Sequence, residues 1–125
     1  MKKTVNISEL PEALGPYSHA VWAGDFLFCS GQVGIDPKTG AFAGSDVASQ
    51  ARQALENIRA LIESQGLKLT DVSKAIVFLT DMGDFKAMNE EYAKYFGTES
   101  PARSTVAVAA LPAGALVEIE VIAHR

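Results

Sequence analysis

Charged side chains in the C-terminal part of the chain have the chemistry of a site for a small acid. Arg103 is the one charged residue of a β-prone run, and Glu118 and Glu120 alternate with apolar residues in the next run. Alternation is the period of a half-buried strand, which would hold these side chains rigidly. A guanidinium can donate two parallel hydrogen bonds to a carboxylate, and a glutamate can activate water. The pattern therefore indicates a small-molecule acid as ligand.

Each of these residues also has an ordinary structural interpretation. Arg103 could form an ion pair, and Glu118 could face solvent, as alternating glutamates usually do. Glu120 shares the face of Glu118 by parity. If the last two strands form a hairpin centred on Ala113, Arg103 and Glu118 face opposite sides of it. A bulge, a shifted turn, or a position of Arg103 before the strand would bring the two side chains to one side.

Composition and charge limit the class of protein. The chain has 125 residues, of which 48% are hydrophobic, with a net charge of −4 and a pI near 5.1. These values predict one globular domain over residues 1–125 and argue against a general nucleic-acid surface. Cys29 is the only cysteine, which fits a reducing compartment. Neither a secretory signal nor a membrane span is recognisable, so we expect a cytoplasmic protein with no membrane partner.

The sequence contains no recognisable metal or cofactor motif. His19, Cys29 and His124 are scattered without the spacing of metal ligands, and there is no glycine-rich phosphate loop. Cys29 lies in an apolar run, which is more typical of a small core residue than of a nucleophile. We therefore expect activity without a metal or a cofactor.

The order of the predicted elements indicates an α+β domain. Short strands come first, with a hairpin over 20–30, and an apolar stripe predicts a helix from Asp46 to Gly66. The apolar run 75–79 predicts a strand buried on both faces. A second helix follows over 84–97, and two strands are then expected to close the chain as a hairpin.

These elements predict a sheet with two helices packed on one face. The other face must be covered as well, because its residues are too apolar to face water. Candidates for that face are Val106, Val108 and Val121. This predicts that subunits associate through the sheet.

Seven short motifs, spread in order along nearly the whole chain, resemble those of the reactive-intermediate deaminases, the Rid family once called YjgF. None is decisive by itself, but their order and spacing together are highly specific. The motifs are Gly15-Pro16-Tyr17-Ser18, Ser30-Gly31-Gln32, Asp36-Pro37-Lys38-Thr39-Gly40, Asn89-Glu90-Glu91-Tyr92, Pro101-Ala102-Arg103-Ser104, Leu111-Pro112 and Glu118-Ile119-Glu120.

The resemblance implies a fold and a reaction. The fold is chorismate-mutase-like, with a mixed sheet, in a homotrimer whose sheets line a central barrel and whose sites lie in clefts between subunits. The reaction is hydrolysis of reactive 2-imino or enamine acids, such as 2-iminobutanoate and 2-iminopropanoate, to 2-keto acids and ammonia. Pyridoxal-phosphate enzymes such as threonine dehydratase release these enamines. The family enzyme itself uses no cofactor, and its ligand is a small imino or keto acid.

By the same resemblance, Arg103 would clamp the substrate carboxylate and Glu118, the first glutamate of its motif, would activate water. The substrate-binding residues would be Tyr17, Ser30, Gly31, Asn89, Arg103 and Thr105. The residue types alone leave plainer roles open. Tyr17 could pack in a core, and Asn89 could simply be exposed on its helix. Ser30 and Gly31 could form a turn.

Thr105 departs from the family pattern. Many members carry a cysteine two residues after this arginine, and a threonine has no thiolate nucleophile. The departure argues against covalent cysteine chemistry in this chain. Gly34 and Ile35 likewise replace a proline often found after the Ser-Gly-Gln motif, which would loosen one wall of the cleft.

Two other classes of function stay open. Family members have been linked to RNA cleavage or translation inhibition, but the acidic balance and the lack of a basic, aromatic stripe argue against this class. A non-catalytic regulator that binds keto acids or a partner protein is the second class. Such a regulator could retain Arg103 without needing Glu118.

Overall fold

The computed structural model describes residues 1–125 and contains seven strands and two α-helices. The strands are β1 (Lys3–Val5), β2 (Ala20–Ala23), β3 (Phe26–Cys29), β4 (Gln32–Val33), β5 (Val72–Leu79), β6 (Ala102–Ala107) and β7 (Val117–His124). The helices are α1 (Val47–Ser64) and α2 (Phe85–Phe96). Neither helix has the length and apolar character needed to cross a membrane.

All seven strands join one mixed sheet in the order β1-β2-β3-β7-β5-β6, with β4 paired to β7. The predicted hairpin is present, since β2 and β3 pair antiparallel across a tight turn. Gly24 in that turn has a φ of 59°, a conformation that favours a residue without a Cβ. Only β5 and β6 pair in parallel.

The prediction that the last two strands form a hairpin is wrong. β6 pairs in parallel with one edge of β5, and β7 pairs antiparallel with the other edge. Residues 108–116 cross the end of β5, where the Val108 N–H donates to the Leu79 carbonyl and the Thr80 N–H donates to the Leu116 carbonyl. A connection of this length can step over a strand, whereas a tight turn joins neighbouring strands.

Both helices begin and end close to where the sequence predicts. The Asp46 carboxylate caps α1 by accepting a hydrogen bond from the Ser49 N–H. Gly66 follows that helix with a φ of 76°. Asp84 occupies the N-cap position of α2 without a side-chain capping bond, and Gly97 ends the helix.

The two helices pack on one face of the sheet, as predicted, and the core lies between them and the strands. Alternate residues of β5 and β7 point into this core, among them Ala75, Val77 and Leu79 of β5. The prediction that β5 is buried on both faces is wrong for the single chain. The intervening Ile76 and Phe78 point to the other side of the sheet and are only half-buried.

That other side, here called the open face, carries no helix. Phe26, Phe28 and Val106 are 44–46% exposed on it. Val121 was expected there but is buried beneath the helices, because the odd-numbered residues of β7 point inward. Val108 follows the end of β6 and is half-buried. The open face is therefore apolar, as predicted, although one residue expected on it belongs to the core.

Candidate active site

Some of the predicted site residues line one cleft of about 440 Å³. This glutamate cleft contains Tyr17, Gly31 and Glu118, and residues 8–14 form much of its wall. Glu118 enters it from β7, where it pairs with Phe78 and so lies on the open-face side of the sheet. The cleft thus combines a strand carboxylate with a loop of the N-terminal segment.

Hydrogen bonds fix the loop that carries Tyr17. His19 is buried, its Nδ1 accepts from the Ile7 N–H at 3.1 Å, and its Nε2 donates to the Pro11 carbonyl at 2.9 Å. The Ser30 hydroxyl donates to the Ser18 carbonyl at 2.6 Å. Ser30 therefore supports this loop and does not itself line the cleft.

Tyr17 is half-exposed at the glutamate cleft, with 49% of its surface open to solvent. Its hydroxyl accepts a hydrogen bond from the Leu14 N–H at 3.2 Å, and its own N–H donates to the Gly15 carbonyl at 2.8 Å. The hydroxyl retains its proton for a further acceptor. Tyr17 is thus placed to contact a ligand in the glutamate cleft.

Glu118 packs directly against the backbone of Gly31. A Cβ at residue 31 would lie 2.6 Å from the Glu118 Oε2, so any larger residue would displace the carboxylate. Burial raises the pKa of Glu118, and the negative charge of Glu120 on the same face raises it further. A carboxylate with a raised pKa in a cleft is suited to accept and return a proton during catalysis.

Arg103 and Asn89 line a second depression of about 340 Å³, here called the arginine groove. Arg103 points towards α2 because it pairs with Ala75, whose side chain faces the helices. The Arg103 Cζ lies 4.6 Å from the centre of the Tyr92 ring and 5.7 Å from that of Phe85. No ion pair of the chain includes Arg103, so its charge is available to an anion.

Three buried polar atoms near Arg103 have no hydrogen-bond partner. They are the Asn89 Oδ1, the Tyr92 hydroxyl and the Thr105 Oγ1. Asn89 and Tyr92 share one side of α2, and Thr105 lies on the same side of β6 as Arg103. Unpaired buried polar groups are costly and need an explanation. A polar ligand, a second chain or a bound water would complete their hydrogen bonding.

The ion pairs of α2 hold that helix in place behind the groove. The buried Glu91 carboxylate lies 2.7 Å from the Arg52 Nη2 of α1 and 3.0 Å from the Lys94 Nζ. The Arg52 hydrogen bond is the main reason that the pKa of Glu91 is lowered. Glu91 therefore joins the two helices and leaves the opposite side of α2 free for the site.

The structure brings the predicted residues together in two groups. Tyr17, Gly31 and Glu118 line the glutamate cleft, whereas Asn89 and Arg103 line the arginine groove, next to Thr105. The two groups do not meet within one chain, because the Arg103 side chain leaves the helix-covered face of the sheet and Glu118 leaves the open face.

Among the residues that sequence reasoning did not include in the site, Phe85 and Tyr92 are the two whose rings contact Arg103. The sequence identifies both as inner residues of α2, a pattern typical of a helix stripe that only packs in a core. Tyr92 does pack in the core, but its ring also supports Arg103. Asn89 is the signal that could have revealed this, because it is a polar residue between two aromatic residues on the same side of the helix.

No group of three or more His, Cys, Asp or Glu side chains is arranged to hold a metal ion. The Cys29 thiol is buried, and burial raises its pKa to about 12. Its thiolate is therefore scarce at neutral pH, so Cys29 acts as a core residue. That activity needs no metal or cofactor stays a prediction.

Sequence comparisons match the chain over almost its full length. Residues 7–125 match the profile of the family described as Endoribonuclease L-PSP. The chain is 46% identical over 128 residues to the 2-iminobutanoate/2-iminopropanoate deaminase of Salmonella typhimurium, covering 100% of this chain and 99% of that protein. It is 50% identical over 125 residues to a RutC family protein of Pyrococcus horikoshii, again covering 100% and 99%.

Solved structures show the same fold. The crystal structure of E. coli TdcF with bound serine matches with a TM-score of 0.93 at 41% identity and covers 98% of both chains. The crystal structure of the E. coli YjgF gene product also gives 0.93, at 44% identity and with 98% of both chains covered. These similarities confirm the predicted α+β fold with a mixed sheet and two helices.

Proposed function

Because this chain belongs to the L-PSP endoribonuclease family, also called the YjgF or Rid family, we propose that it hydrolyses reactive 2-imino acids to 2-keto acids and ammonia. Relatives named as deaminases support deamination of imines or enamines as the activity. Substrates such as 2-iminobutanoate and 2-iminopropanoate are the specific proposal for this chain. The observation that carries it is that the chain presents both an arginine without a carboxylate partner and a separate, half-buried glutamate whose pKa is raised.

Arg103 binds the carboxylate of the imino acid in this proposal. Its guanidinium has no carboxylate partner in the chain and can offer two parallel N–H donors to both oxygens of the ligand. The buried Thr105 hydroxyl and the Asn89 amide lie nearby with unpaired oxygens. These groups would orient the amino or imino nitrogen, whose N–H bonds need acceptors.

Glu118 activates the attacking water. The carboxylate takes a proton as the water oxygen bonds to the imine carbon, and the electron pair of the C=N bond moves to nitrogen. The resulting tetrahedral adduct takes up that proton on nitrogen, and the proton of its hydroxyl then passes to the same nitrogen, so that ammonia leaves as the keto group forms. Glu118 can return the proton that it accepted, so the carboxylate ends as it began. Imines hydrolyse readily, so orientation can supply most of the acceleration.

The active unit that we propose is a homotrimer with sites between subunits. The Arg103 side chain and the Glu118 side chain leave opposite faces of one sheet, so one copy supplies the arginine groove and its neighbour supplies the glutamate cleft. The apolar open face, with Phe26, Phe28 and Val106, supports close association of copies. The single free cysteine fits action in the reducing cytoplasm.

Ammonia release from enamines generated in place by threonine dehydratase tests the reaction. We expect the purified protein to accelerate release of ammonia and 2-oxobutanoate, and both Arg103→Ala and Glu118→Ala to reduce that acceleration by roughly tenfold to a thousandfold. A Glu118→Ala protein that no longer releases ammonia but keeps its full physiological function would instead support the non-catalytic regulator. Wild-type protein without any effect on ammonia release would refute the proposed reaction.

Mixing the two inactive variants tests whether sites form between copies. If equal amounts of the two variants assemble at random, about three quarters of the trimers contain both variants. Each of these mixed trimers has one intact site out of three, so activity should recover to about a quarter of wild type. The two variants must be co-expressed so that subunits mix during assembly. If activity stays at the level of the separate variants, each site is built within one copy.

RNA cleavage, which the family's description names, finds no support in the charge of this chain. The net charge is −4, and Arg103 lies in a groove with two aromatic rings but without a cluster of basic residues. RNA-binding surfaces usually carry a basic stripe along the strand. Salt-dependent RNA binding by this protein would reopen that function.

A further inference from the structure

The Arg103 guanidinium is held by aromatic rings and not by a carboxylate. Its Cζ lies over Tyr92 at 4.6 Å and near Phe85 at 5.7 Å from the ring centres. The four ion pairs of the chain involve other residues. Arginine can be held either by a carboxylate or by stacking on an aromatic face, and here only the aromatic faces are present.

An aromatic support has a specific advantage for binding an anion. A carboxylate partner would orient Arg103 but would also neutralise its charge and occupy its N–H donors. The face of a ring attracts a cation through its quadrupole and accepts no conventional hydrogen bond. Arg103 is therefore oriented while its charge and its N–H donors stay available.

Tyr92 stays neutral, which preserves this advantage. Burial raises the pKa of the Tyr92 hydroxyl, while the charge of Arg103 has only a smaller, opposite influence on that pKa. The ring therefore carries no negative charge at neutral pH. It attracts Arg103 without cancelling the field that a ligand carboxylate experiences.

The support itself is rigid. Tyr92 is only 6% exposed, and its ring packs against the ring of Phe96 with 4.9 Å between centres. The helix that carries it is tied to α1 through Arg52 and Glu91, whose charged atoms are 2.7 Å apart. A rigid support reduces the rotamer freedom that Arg103 loses when it binds a ligand.

We propose that Tyr92, assisted by Phe85, is a positioning residue that orients Arg103 for the substrate carboxylate. This aromatic support, meaning the rings of Tyr92 and Phe85, rests on the proposed function, since it presumes that Arg103 binds a carboxylate. Its effect operates through the face of the ring, and the Tyr92 hydroxyl is not needed for it. Substrate affinity should depend on it more than the rate of the chemical step.

Tyr92→Phe and Tyr92→Leu separate the ring from the hydroxyl. Calorimetric titration with 2-oxobutanoate, a stable 2-keto acid, should show a clearly smaller loss of affinity in Tyr92→Phe, which keeps the ring, than in Tyr92→Leu. Tyr92→Leu should bind roughly three- to thirtyfold more weakly, the range expected for a lost cation–π contact. In deamination, the Leu variant should show a raised KM with a smaller change in kcat.

Tyr95→Leu is the matched control. Tyr95 lies on the same helix and also supports an arginine, Arg59, whose Cζ is 4.9 Å from the ring centre, but this pair does not line the arginine groove. The control variant should lose some thermal stability and keep its affinity for 2-oxobutanoate. An equal loss of affinity in Tyr95→Leu would make the effect of Tyr92→Leu a general effect of helix damage and overturn the proposal.

The remaining outcomes are equally decisive. Unchanged binding by Tyr92→Leu, or a loss in Tyr92→Phe as large as in Tyr92→Leu, overturns the role of the ring. The ring must act through Arg103, so Tyr92→Leu should lower kcat/KM less in Arg103→Ala protein than in wild type. An equal loss of kcat/KM in both proteins also overturns the role of the ring. If Tyr92→Leu does not fold, Phe85→Leu decides, with binding at least about twofold weaker expected and unchanged binding contradicting the proposal.

Failure of the proposed function gives a different result. Wild-type protein that binds 2-oxobutanoate through Arg103 but releases no ammonia would refute deamination and leave the aromatic support intact. Wild-type protein that deaminates normally while Tyr92→Leu binds 2-oxobutanoate as wild type does would refute only the aromatic support. A wild-type protein that binds no 2-oxobutanoate overturns the aromatic support whatever its activity.

Discussion

Arg103 and Glu118 lie on opposite faces of the same sheet. Arg103 pairs with Ala75 of β5 on one side, and Glu118 pairs with Phe78 of β5 on the other. These two β5 residues are three positions apart, so their side chains have opposite parity and leave opposite faces. The proposed site, which uses both charged groups, would therefore combine two copies of the chain.

Arg103→Lys should be nearly as damaging as Arg103→Ala. A planar fork can hold both carboxylate oxygens, whereas a flexible ammonium presents a point charge and stacks less well on Tyr92. We expect kcat/KM for 2-iminobutanoate to fall by roughly tenfold to a thousandfold, which corresponds to about 1.4–4 kcal/mol. Steady-state deamination by the three purified proteins, with melting temperatures near normal, is the measurement. Near-wild-type turnover by Arg103→Ala would show that Arg103 is a structural residue.

Gly31→Ala should reduce activity with little loss of stability. The new Cβ would approach the Glu118 Oε2 to 2.6 Å, and the flexible carboxylate can move away at low cost to the fold. Moving the catalytic carboxylate should lower kcat by roughly a hundredfold, as expected for a displacement of about 1 Å. In a Glu118→Ala background the same Gly31 change should have no further effect. An additive loss in the double variant would point to a separate role of Gly31.

Glu120→Gln should move the acidic limb of the pH–rate profile to lower pH. Glu118 must be ionised to accept a proton from water, and its pKa is raised first by burial and then by the charge of Glu120. Removing that charge lowers the pKa of Glu118, so the carboxylate stays ionised in more acidic solution. Burial still raises the pKa of Glu118 in this variant, so the acidic limb should lie at a higher pH than it would for an ordinary glutamate. The pH dependence of kcat/KM measures this, and a shift to higher pH contradicts it.

Thr105→Val should separate stability from activity. The Thr105 Oγ1 is buried without a partner, so a valine of similar shape should leave the melting temperature unchanged or raise it. If the hydroxyl binds the ligand, kcat/KM should still fall by about fivefold to tenfold.

Thr105→Cys should be tolerated, since the proposed reaction needs no nucleophile at this position. A rate gain of many orders of magnitude in the Cys variant would imply thiol chemistry.

Phe28→Asp should prevent trimer formation. Phe28 is 46% exposed on the open face, and a carboxylate there would be buried without a partner when copies associate. Light scattering coupled to gel filtration should give a trimer for wild type and a smaller species for the variant, which should be inactive. Met82→Asp is the control, because Met82 is also 46% exposed but lies in the turn before α2. A stable, active wild-type monomer at micromolar concentration would contradict both the trimer and the shared site.

Local features of the fold could be predicted because their signals are short-range. Asp46 and Gly66 bracket an apolar stripe and so define α1, and the turn at Gly24 defines the β2–β3 hairpin. The parallel pairing of β6 with β5 could not be predicted in this way. Its residues are far apart in sequence, and the turn signal at 111–114 suits a hairpin as well as a longer crossing.

In the candidate site, too, some residues can be recognised from local sequence, whereas others depend on long-range strand pairing. Arg103 and Glu118 stand out in the sequence because each is a charged residue in a β-prone run. Tyr92 does not, because a buried tyrosine in a helix stripe has the same pattern whether or not it also supports an arginine. Only the position of β6 beside α2 distinguishes the two cases, and that position depends on the long-range pairing.

The position of β5 has a consequence for how such a sequence can change over time. This strand contributes no side chain to the proposed chemistry, yet its backbone sets the spacing between the two residues that do. Replacing its apolar residues by others of similar size should be neutral to activity. Adding or deleting one residue within Val72–Leu79 would reverse the direction of β5's own side chains beyond that point and shift its register against β6 and β7. The number of residues in β5 is therefore expected to be more constrained than the identity of its apolar side chains.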